Sequence, residues 1–216
     1  MKCPNCKLVN YADAEFCARC SSDLTNAADI KARVGFLRSN LMRRAVVCLI
    51  VCFAVIAGFY ASLVFSASSL TSEEKRLTQN ALRVLEEKGF PDEIFFLRRL
   101  AVFRNNDNWL NASVEKENAY AATNFPFEIV TLYPDFFTYP LDDTERAAIL
   151  LHEAKHLQGK DEKEAYEFVW KNRNKLGWSG EKYNSSAILD AVRNQTKEMS
   201  PNLFVCDVNP YGDCTE

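Results

Sequence analysis

An uncharged, apolar segment close to the N-terminus is the feature that most constrains this 216-residue chain. Residues 45 to 72 contain no Asp, Glu, Lys or Arg, and they begin AVVCLIVCFAVIAGFYASLVFSA, Ala45 to Ala67. A helix of about 20 apolar residues spans a hydrocarbon core of about 30 Å. A signal peptide would lie at the extreme N-terminus, whereas a cysteine-rich module precedes this segment. We therefore predict one transmembrane helix at 45–67.

The charges on the two sides of this segment differ in sign. Residues 1 to 44 contain eight Lys or Arg and four Asp or Glu, a balance of 8 − 4 = +4, and the basic linker 25–44 holds five of the eight. The net charge of the chain is −3, so residues 73 to 216 carry −3 − 4 = −7. Basic residues favour the cytoplasmic side of a membrane helix. The expected topology is single-pass, with a cytoplasmic N-terminus and an extracytoplasmic domain at 73–216.

Four cysteines at 1–24 form two C-x-x-C pairs, CPNC and CARC, with ten residues between the pairs. Two such pairs in a reducing compartment favour a shared metal over a redox dithiol. The module resembles the short zinc ribbons of bacterial membrane proteins, which implies a structural zinc ion and, as a possible partner, a cytoplasmic protein. Nucleic-acid binding is not expected, because the module has few basic residues and no evident stacking surface. The expected ligands are Cys3, Cys6, Cys17 and Cys20.

The segment AAILLHEAKHLQGKDEKEAY, Ala147 to Tyr166, carries the H-E-x-x-H pattern, and its His152 and His156 are the only histidines of the chain. On a helix they lie one turn apart, so both imidazoles can reach one ion. A catalytic zinc has about three protein ligands and an open position, and Glu153 is placed to act as general base. The alternative is a solvated surface helix, although the apolar residues before His152 predict a buried one.

The order of elements around this motif resembles the zincin metallopeptidases. Residues Ala119–Thr123 and Phe127–Tyr133 are rich in β-branched and aromatic residues and predict two short strands, and Asp142, Asp143 and Thr144 offer an N-cap for the helix that follows. The expected fold class is α+β, with a mainly helical domain and a short β-sheet. The resemblance implies that the edge strand, here Phe127–Tyr133, pairs with an extended peptide substrate.

The third zinc ligand is less strongly indicated than the two histidines. Glu164 is similar to the gluzincin ligand on the helix after the motif, although Asp161 and Glu164 also form a capping-box pattern. Glu167 is a second candidate. Glu162 is a third, since HEAKHLQGKDE also resembles the metzincin pattern with Gly159 in its turn, and Met199 would then be the Met-turn residue. The remaining alternative is that no protein group supplies a third ligand. Candidates for stabilising an oxyanion are Tyr166, Tyr183 and Arg193.

Two further features concern the exported part of the chain. Helices are expected from Ser72 to a stop at Gly89 and from about Ser185 to Glu198, while the segment after Pro91 fits either a helix or a strand. Cys206 and Cys214 could close a short disulfide loop in an oxidising compartment.

These patterns support two hypotheses of different class. The first is a membrane-anchored zinc metallopeptidase that cleaves a peptide or protein outside the cytoplasm, with one catalytic and one structural zinc. In it His152, His156 and Glu164 hold the metal and Glu153 activates water. The second is a non-catalytic membrane sensor or assembly protein with structural zinc sites. An intramembrane protease is disfavoured, because the motif lies far beyond the hydrophobic span.

Overall fold

The computed structural model describes residues 1–25, 40–112, 120–179, 181–206 and 214. Most of the basic linker therefore lies outside the described residues. The chain forms two compact units, Met1–Phe59 and Tyr60–Glu216. Helix α1, Asn40–Ser66, contains the boundary between them. Its 27 residues make it long and apolar enough to cross a membrane, as predicted.

The N-terminal module consists of two similar knuckles, fourteen residues apart. Cys3 N–H donates to Leu8 O at 2.8 Å, and Cys17 N–H donates to Ser22 O at 3.0 Å. Each C-x-x-C pair is followed by a residue with positive φ, Lys7 in the first knuckle and Ser21 in the second. Four cysteine sulfurs meet between the knuckles, as the spacing predicted. With Leu24 they make up the small core of this module.

The second unit is rich in α-helix and contains one three-stranded sheet, in agreement with the α+β prediction. Its elements follow in chain order: α2 (Ser72–Glu87), α3 (Pro91–Arg99), β1 (Val102–Arg104), β2 (Ala121–Asn124), β3 (Ile129–Leu132), α4 (Pro134–Thr138), α5 (Asp143–Leu157), α6 (Glu162–Lys171), α7 (Arg173–Leu176) and α8 (Ala187–Met199). Two 3-10 turns, Glu181–Tyr183 and Pro201–Phe204, flank α8.

The order of the strands corrects one prediction. The sheet order is β1-β3-β2, so the strand inside Phe127–Tyr133 is the central one and all four of its residues are buried. β1 pairs with it in parallel, and β2 pairs with it antiparallel. The predicted edge strand is therefore wrong, because a third strand covers the other side of β3. The edge next to the HEAKH helix is β2, within the predicted Ala119–Thr123 segment, whose Ala119 lies outside the described residues.

Helix α5 runs through the core of this unit. Asp142 caps it by accepting hydrogen bonds from Thr144 N–H and Glu145 N–H. Its apolar side chains pack with those of α2, α3 and α6, and ten of its fifteen residues are buried. Even Lys155 is buried: its ammonium group pairs with Glu93 of α3 at 2.5 Å and lies 3.5 Å from the Phe168 ring centre. A helix fixed on several sides is a rigid support for the groups that it presents to solvent.

Other features of this unit can be compared with the sequence-based expectations. The segment after Pro91 is a helix followed by a short strand rather than one or the other. The last helix ends just before Pro201, as expected. Cys206 and Cys214 are joined by a disulfide, while residues 207–213 between them lie outside the described residues.

Candidate metal and catalytic site

Helix α5 brings the two histidines together at the surface of the second unit. Their Nε2 atoms lie 3.0 Å apart, and their rings are only partly buried, with 14% and 17% of the side-chain surface exposed. This is the geometry expected for positions i and i+4 of a helix. Two imidazole nitrogens facing each other at this distance are suited to binding a shared cation.

A tight turn after α5 supplies the third group. Gly159 has a φ of 75°, the left-handed region that glycine adopts without a Cβ clash, and it ends the helix. α6 begins only a few residues later, and its first residue is Glu162. The carboxylate of Glu162 returns to the histidines: Oε2 lies 3.2 Å from His152 Nε2, and Oε1 lies 3.4 Å from His156 Nε2.

The contacts within the cluster are close to the ligand spacing around a tetrahedral zinc ion. Zinc lies about 2.0–2.1 Å from His nitrogen and from carboxylate oxygen, so ligand atoms in a tetrahedron are about 3.3 Å apart. The two Nε2 atoms are 3.0 Å apart, and each contacts a different oxygen of Glu162, at 3.2 Å for His152 and 3.4 Å for His156. The donor set of two imidazoles and one carboxylate is that of catalytic zinc sites with an open fourth position. The residues present therefore fit a divalent metal ion such as zinc.

Neighbouring groups orient both histidine rings. His156 Nδ1 lies 2.9 Å from Lys160 O. A carbonyl can only accept a hydrogen bond, so Nδ1 carries a proton, and loss of the other ring proton, as metal binding requires, would leave the lone pair on Nε2, towards the other ligands. The His152 ring packs against the Tyr166 ring of α6, with centroids 4.4 Å apart. The turn that delivers Glu162 thus also fixes the tautomer of His156.

The pKa values of these groups show how strongly they interact. Burial opposes the charge of His156, but the Glu162 carboxylate and Lys160 O outweigh it and raise the pKa of His156 to about 9. Hydrogen bonds from the two histidines hold the pKa of Glu162 well below its usual range. Burial, with the nearby carboxylates, raises the pKa of Tyr166 to about 12, so this phenol is a proton donor at neutral pH. The site concentrates negative charge where a cation would bind.

Glu153 lies beside the histidine cluster, which His152, His156 and Glu162 form, and its side chain is only 4% exposed. Thr123 on the edge strand β2 donates a hydrogen bond from its hydroxyl to Glu153 Oε2 at 2.7 Å. Sequence reasoning missed Thr123. The sequence shows only that Thr123 lies in a predicted strand, because a contact between residues thirty positions apart depends on how the strand packs against the helix.

A cleft of about 920 Å³ opens in front of these groups. The edge strand lines it with Ala121, Ala122 and Thr123, and the two histidines and Glu153 are also part of the lining. Helix α8 contributes Ile188, Ala191, Val192 and Gln195. The lining mixes apolar and polar side chains, which is typical of ligand sites.

The structure does not bring Glu164, the ligand preferred from the sequence, to the histidines. Its carboxylate accepts a hydrogen bond from Asp161 N–H at 3.3 Å and pairs with Lys160 at 2.9 Å. It completes the capping box of α6. Glu167 also points elsewhere, towards Lys171 and Ser200. Among the described residues, Glu162 completes the histidine cluster.

Of the three candidates for oxyanion stabilisation, Tyr166 is the one that lines the cleft. Tyr166 lines the cleft and contacts His152. Tyr183 is buried, and its hydroxyl donates to the capping carboxylate of Asp142 at 2.8 Å. Arg193 and Met199 lie on α8 and are not part of the described cleft lining. Tyr166 is the candidate that the geometry retains.

The four cysteines form a second cluster that could hold a metal ion. Sγ of Cys3 lies 3.6 Å from Sγ of Cys20, and Sγ of Cys6 lies 3.4 Å from Sγ of Cys17. Zinc–sulfur bonds of about 2.3 Å place the sulfurs of a tetrahedral site about 3.8 Å apart. The cluster is close to that geometry, and four thiolates leave no open position for water.

Gly159→Ala is expected to weaken zinc binding at the histidine cluster. A Cβ would have room, since its nearest neighbour is Phe125 Cζ at 3.8 Å, but the left-handed φ costs about 1–2 kcal/mol for alanine. Relaxing the turn would move Glu162 and Lys160 away, and each 1.4 kcal/mol lost corresponds to about tenfold in affinity. Zinc titration against a competing chelator measures the effect.

Gly89→Ala is the matched control for this prediction. Gly89 has nearly the same φ, 76°, and similar free space, but it lies at the end of α2. Both variants should lower thermal stability by a similar amount, while only Gly159→Ala weakens zinc binding. Equal zinc affinity of the two variants would show that the turn does not build the site.

Comparison of the chain with protein-family models, with curated proteins and with solved structures found no significant match in any of the three.

Proposed function

We propose that this protein is a membrane-anchored zinc metallopeptidase that acts outside the cytoplasm. The observation that carries the proposal is the convergence of His152 Nε2, His156 Nε2 and the Glu162 carboxylate within 3.0–3.4 Å of one another, beside the carboxylate of Glu153. The group opens into a cleft rather than into the core. A closed structural site would not need an open cleft or a neighbouring base.

The residues of the chain divide the work of hydrolysis. When bound, zinc supplies Lewis-acid chemistry, acidifying water and polarising a carbonyl oxygen. Glu153 takes the proton of the attacking water and passes it to the leaving amine. Thr123 holds Oε2 of Glu153, so the proton is exchanged through Oε1. Tyr166, protonated at neutral pH, can donate a hydrogen bond to the developing oxyanion.

The edge strand β2 suits a peptide substrate. Its residues Ala121, Ala122 and Thr123 line the cleft that also contains the histidine cluster. β3 occupies one side of β2, so an extended peptide could pair with the other side and lie across the histidines. The zincin resemblance implies that an edge strand pairs with the substrate. We assign this role to β2 and no longer to the predicted segment Phe127–Tyr133.

The charge distribution supports the proposed topology. The N-terminal 44 residues carry +4 and the part after the apolar helix carries −7. The disulfide between Cys206 and Cys214 suits an oxidising compartment, and the four unbonded cysteines of the N-terminal module suit a reducing one. Under this topology the zinc ribbon faces the cytoplasm, where a protein partner could bind it.

Hydrolysis of a mixed library of quenched-fluorescence peptides tests the proposed function. The full chain in detergent, loaded with zinc, should raise the fluorescence; a chelator should stop it, and added zinc should restore it. A peptidic hydroxamate should inhibit, because it binds the open position of a catalytic zinc. Turnover that survives complete removal of zinc would contradict the proposal.

A non-catalytic role remains the second candidate, because one observation favours it. All three ligands of the histidine cluster lie within Asp143–Lys171 on two consecutive helices, so a metal there would also hold α5 and α6 together. A sensor or assembly protein could use a structural metal of this kind. The hydroxamate separates the two roles, because zinc that binds no hydroxamate and supports no hydrolysis would favour the non-catalytic role.

A further inference from the structure

The end of the apolar helix is part of the folded second unit. That unit begins at Tyr60, and Leu63 of α1 is fully buried. Arg104 at the end of β1 donates from Nε to Val64 O at 3.0 Å. On the other side of the helix, Phe65 is 85% exposed. One face of the last two turns is therefore covered by the domain, and another is open.

A short loop after β1 holds this helix end and presents two apolar side chains. Trp109 N–H donates to Ser66 Oγ at 3.3 Å, and its indole N–H donates to Ser62 Oγ at 3.2 Å. Asn108 is fully buried and fixes the turn, since its Oδ1 accepts from Leu110 N–H at 3.0 Å. Trp109 remains 51% exposed and Leu110 remains 38% exposed.

The length of the helix places this loop at the level of a membrane boundary. The apolar stretch starts at Ala45, directly after Arg43 and Arg44. A hydrocarbon core of about 30 Å corresponds to about 20 residues at 1.5 Å per residue, and therefore ends near Val64. Ser62 lies just inside that boundary and Ser66 just beyond it. Trp109 bonds Ser66 through its main-chain N–H and Ser62 through its indole N–H, so the side chain extends from just beyond the boundary to just inside it.

We propose that the loop formed by Asn108, Trp109 and Leu110 is a membrane-interface anchor that seats the second unit on the lipid surface next to its own transmembrane helix. Tryptophan concentrates at this level because its ring is apolar and its N–H is polar. Trp109 and Leu110 are exposed next to the helix end that also exposes Phe65. The partner is the acyl–headgroup region of the outer leaflet, and the anchor does not depend on catalysis at the histidine cluster.

Tryptophan fluorescence of the full chain in vesicles tests this directly. The chain has three tryptophans, and Trp170 and Trp178 are fully buried. Phosphatidylcholine with brominated acyl chains should therefore quench the Trp109 share of the emission and leave the rest. In Trp109→Phe, brominated and ordinary lipid should give the same emission. Equal emission of the wild-type chain in the two lipids would overturn the proposal, and so would undiminished quenching in the variant.

A second measurement uses the wild-type chain alone, so it stands even if the variant fails to fold. Bromine on the acyl carbons nearest the headgroups should quench more strongly than bromine near the chain ends. Equal or stronger quenching by the deep label would contradict an interfacial position of Trp109. Trp178 donates its indole N–H to the buried Glu145, which keeps it as an internal reference inside the domain.

Discussion

Glu153→Gln is expected to keep zinc bound while peptide hydrolysis falls by about 10²–10⁴-fold, the usual contribution of a general base. Glutamine has nearly the same shape, and it can still accept a hydrogen bond from Thr123. It cannot take a proton from water. The loss should therefore appear in kcat, with little change in zinc content or in thermal stability.

Glu167→Gln is the matched control for the Glu153 variant. Glu167 lies on the next helix and pairs with Lys171 and Ser200, away from the cleft. This substitution removes the same charge and should leave hydrolysis unchanged, which also tests the earlier candidacy of Glu167 as a ligand. Turnover of Glu153→Gln at the wild-type rate would remove Glu153 from the mechanism.

Glu162→Ala is expected to weaken zinc binding at the histidine cluster by more than about a hundredfold. The estimate is a lower bound, because loss of even an outer-shell partner of a zinc ligand costs about 10- to 100-fold. Hydrolysis should fall with the zinc content. Competition with a chelator of known affinity measures the change in zinc affinity. Zinc bound by the four cysteines is determined in a separate titration and subtracted.

Glu164→Ala makes this test specific for the ligand. Both residues lie in the first turn of α6, so both variants lose a carboxylate at the same helix N-terminus. Glu164→Ala loses its capping-box contact and should cost about 1 kcal/mol in stability, with zinc affinity nearly unchanged. The opposite result, with zinc lost from Glu164→Ala and kept in Glu162→Ala, would restore Glu164 as the ligand.

The preference for Glu164 shows where sequence reasoning stops. A helix turns by about 100° per residue, so Glu162 and Glu164 differ by about 200° and cannot both face the histidines. Which one does so depends on the direction in which α6 leaves the Gly159 turn. That direction is a property of the turn and of the packing of Phe168 and Ala165, and the sequence pattern does not specify it.

The edge strand illustrates the same limit in a sheet. The strand predicted at Phe127–Tyr133 from its β-branched and aromatic residues is present as Ile129–Leu132, but its position in the sheet depends on β1. β1 has three residues and follows α3 almost directly, which is too short for a periodic signal. Local patterns therefore located strands β2 and β3, whereas the order of strands required tertiary structure.

Other predictions needed only local information. Both C-x-x-C knuckles, the apolar helix, the helical spacing of His152 and His156, and a helix cap within residues 142–144 are each set by a few neighbouring residues. The sequence did not predict contacts between residues that are far apart in the chain. Examples are the hydrogen bond from Thr123 to Glu153 and the ion pair between Lys155 and Glu93.

Anomalous diffraction at the zinc absorption edge, on crystals of the full chain grown with zinc and a peptidic hydroxamate, tests the central claim most directly. We predict a peak about 2.0–2.1 Å from His152 Nε2, His156 Nε2 and an oxygen of Glu162, with the hydroxamate completing the coordination. No zinc peak between the two histidines, or one with a fourth protein ligand and no access for the hydroxamate, would contradict the account of a catalytic metal site.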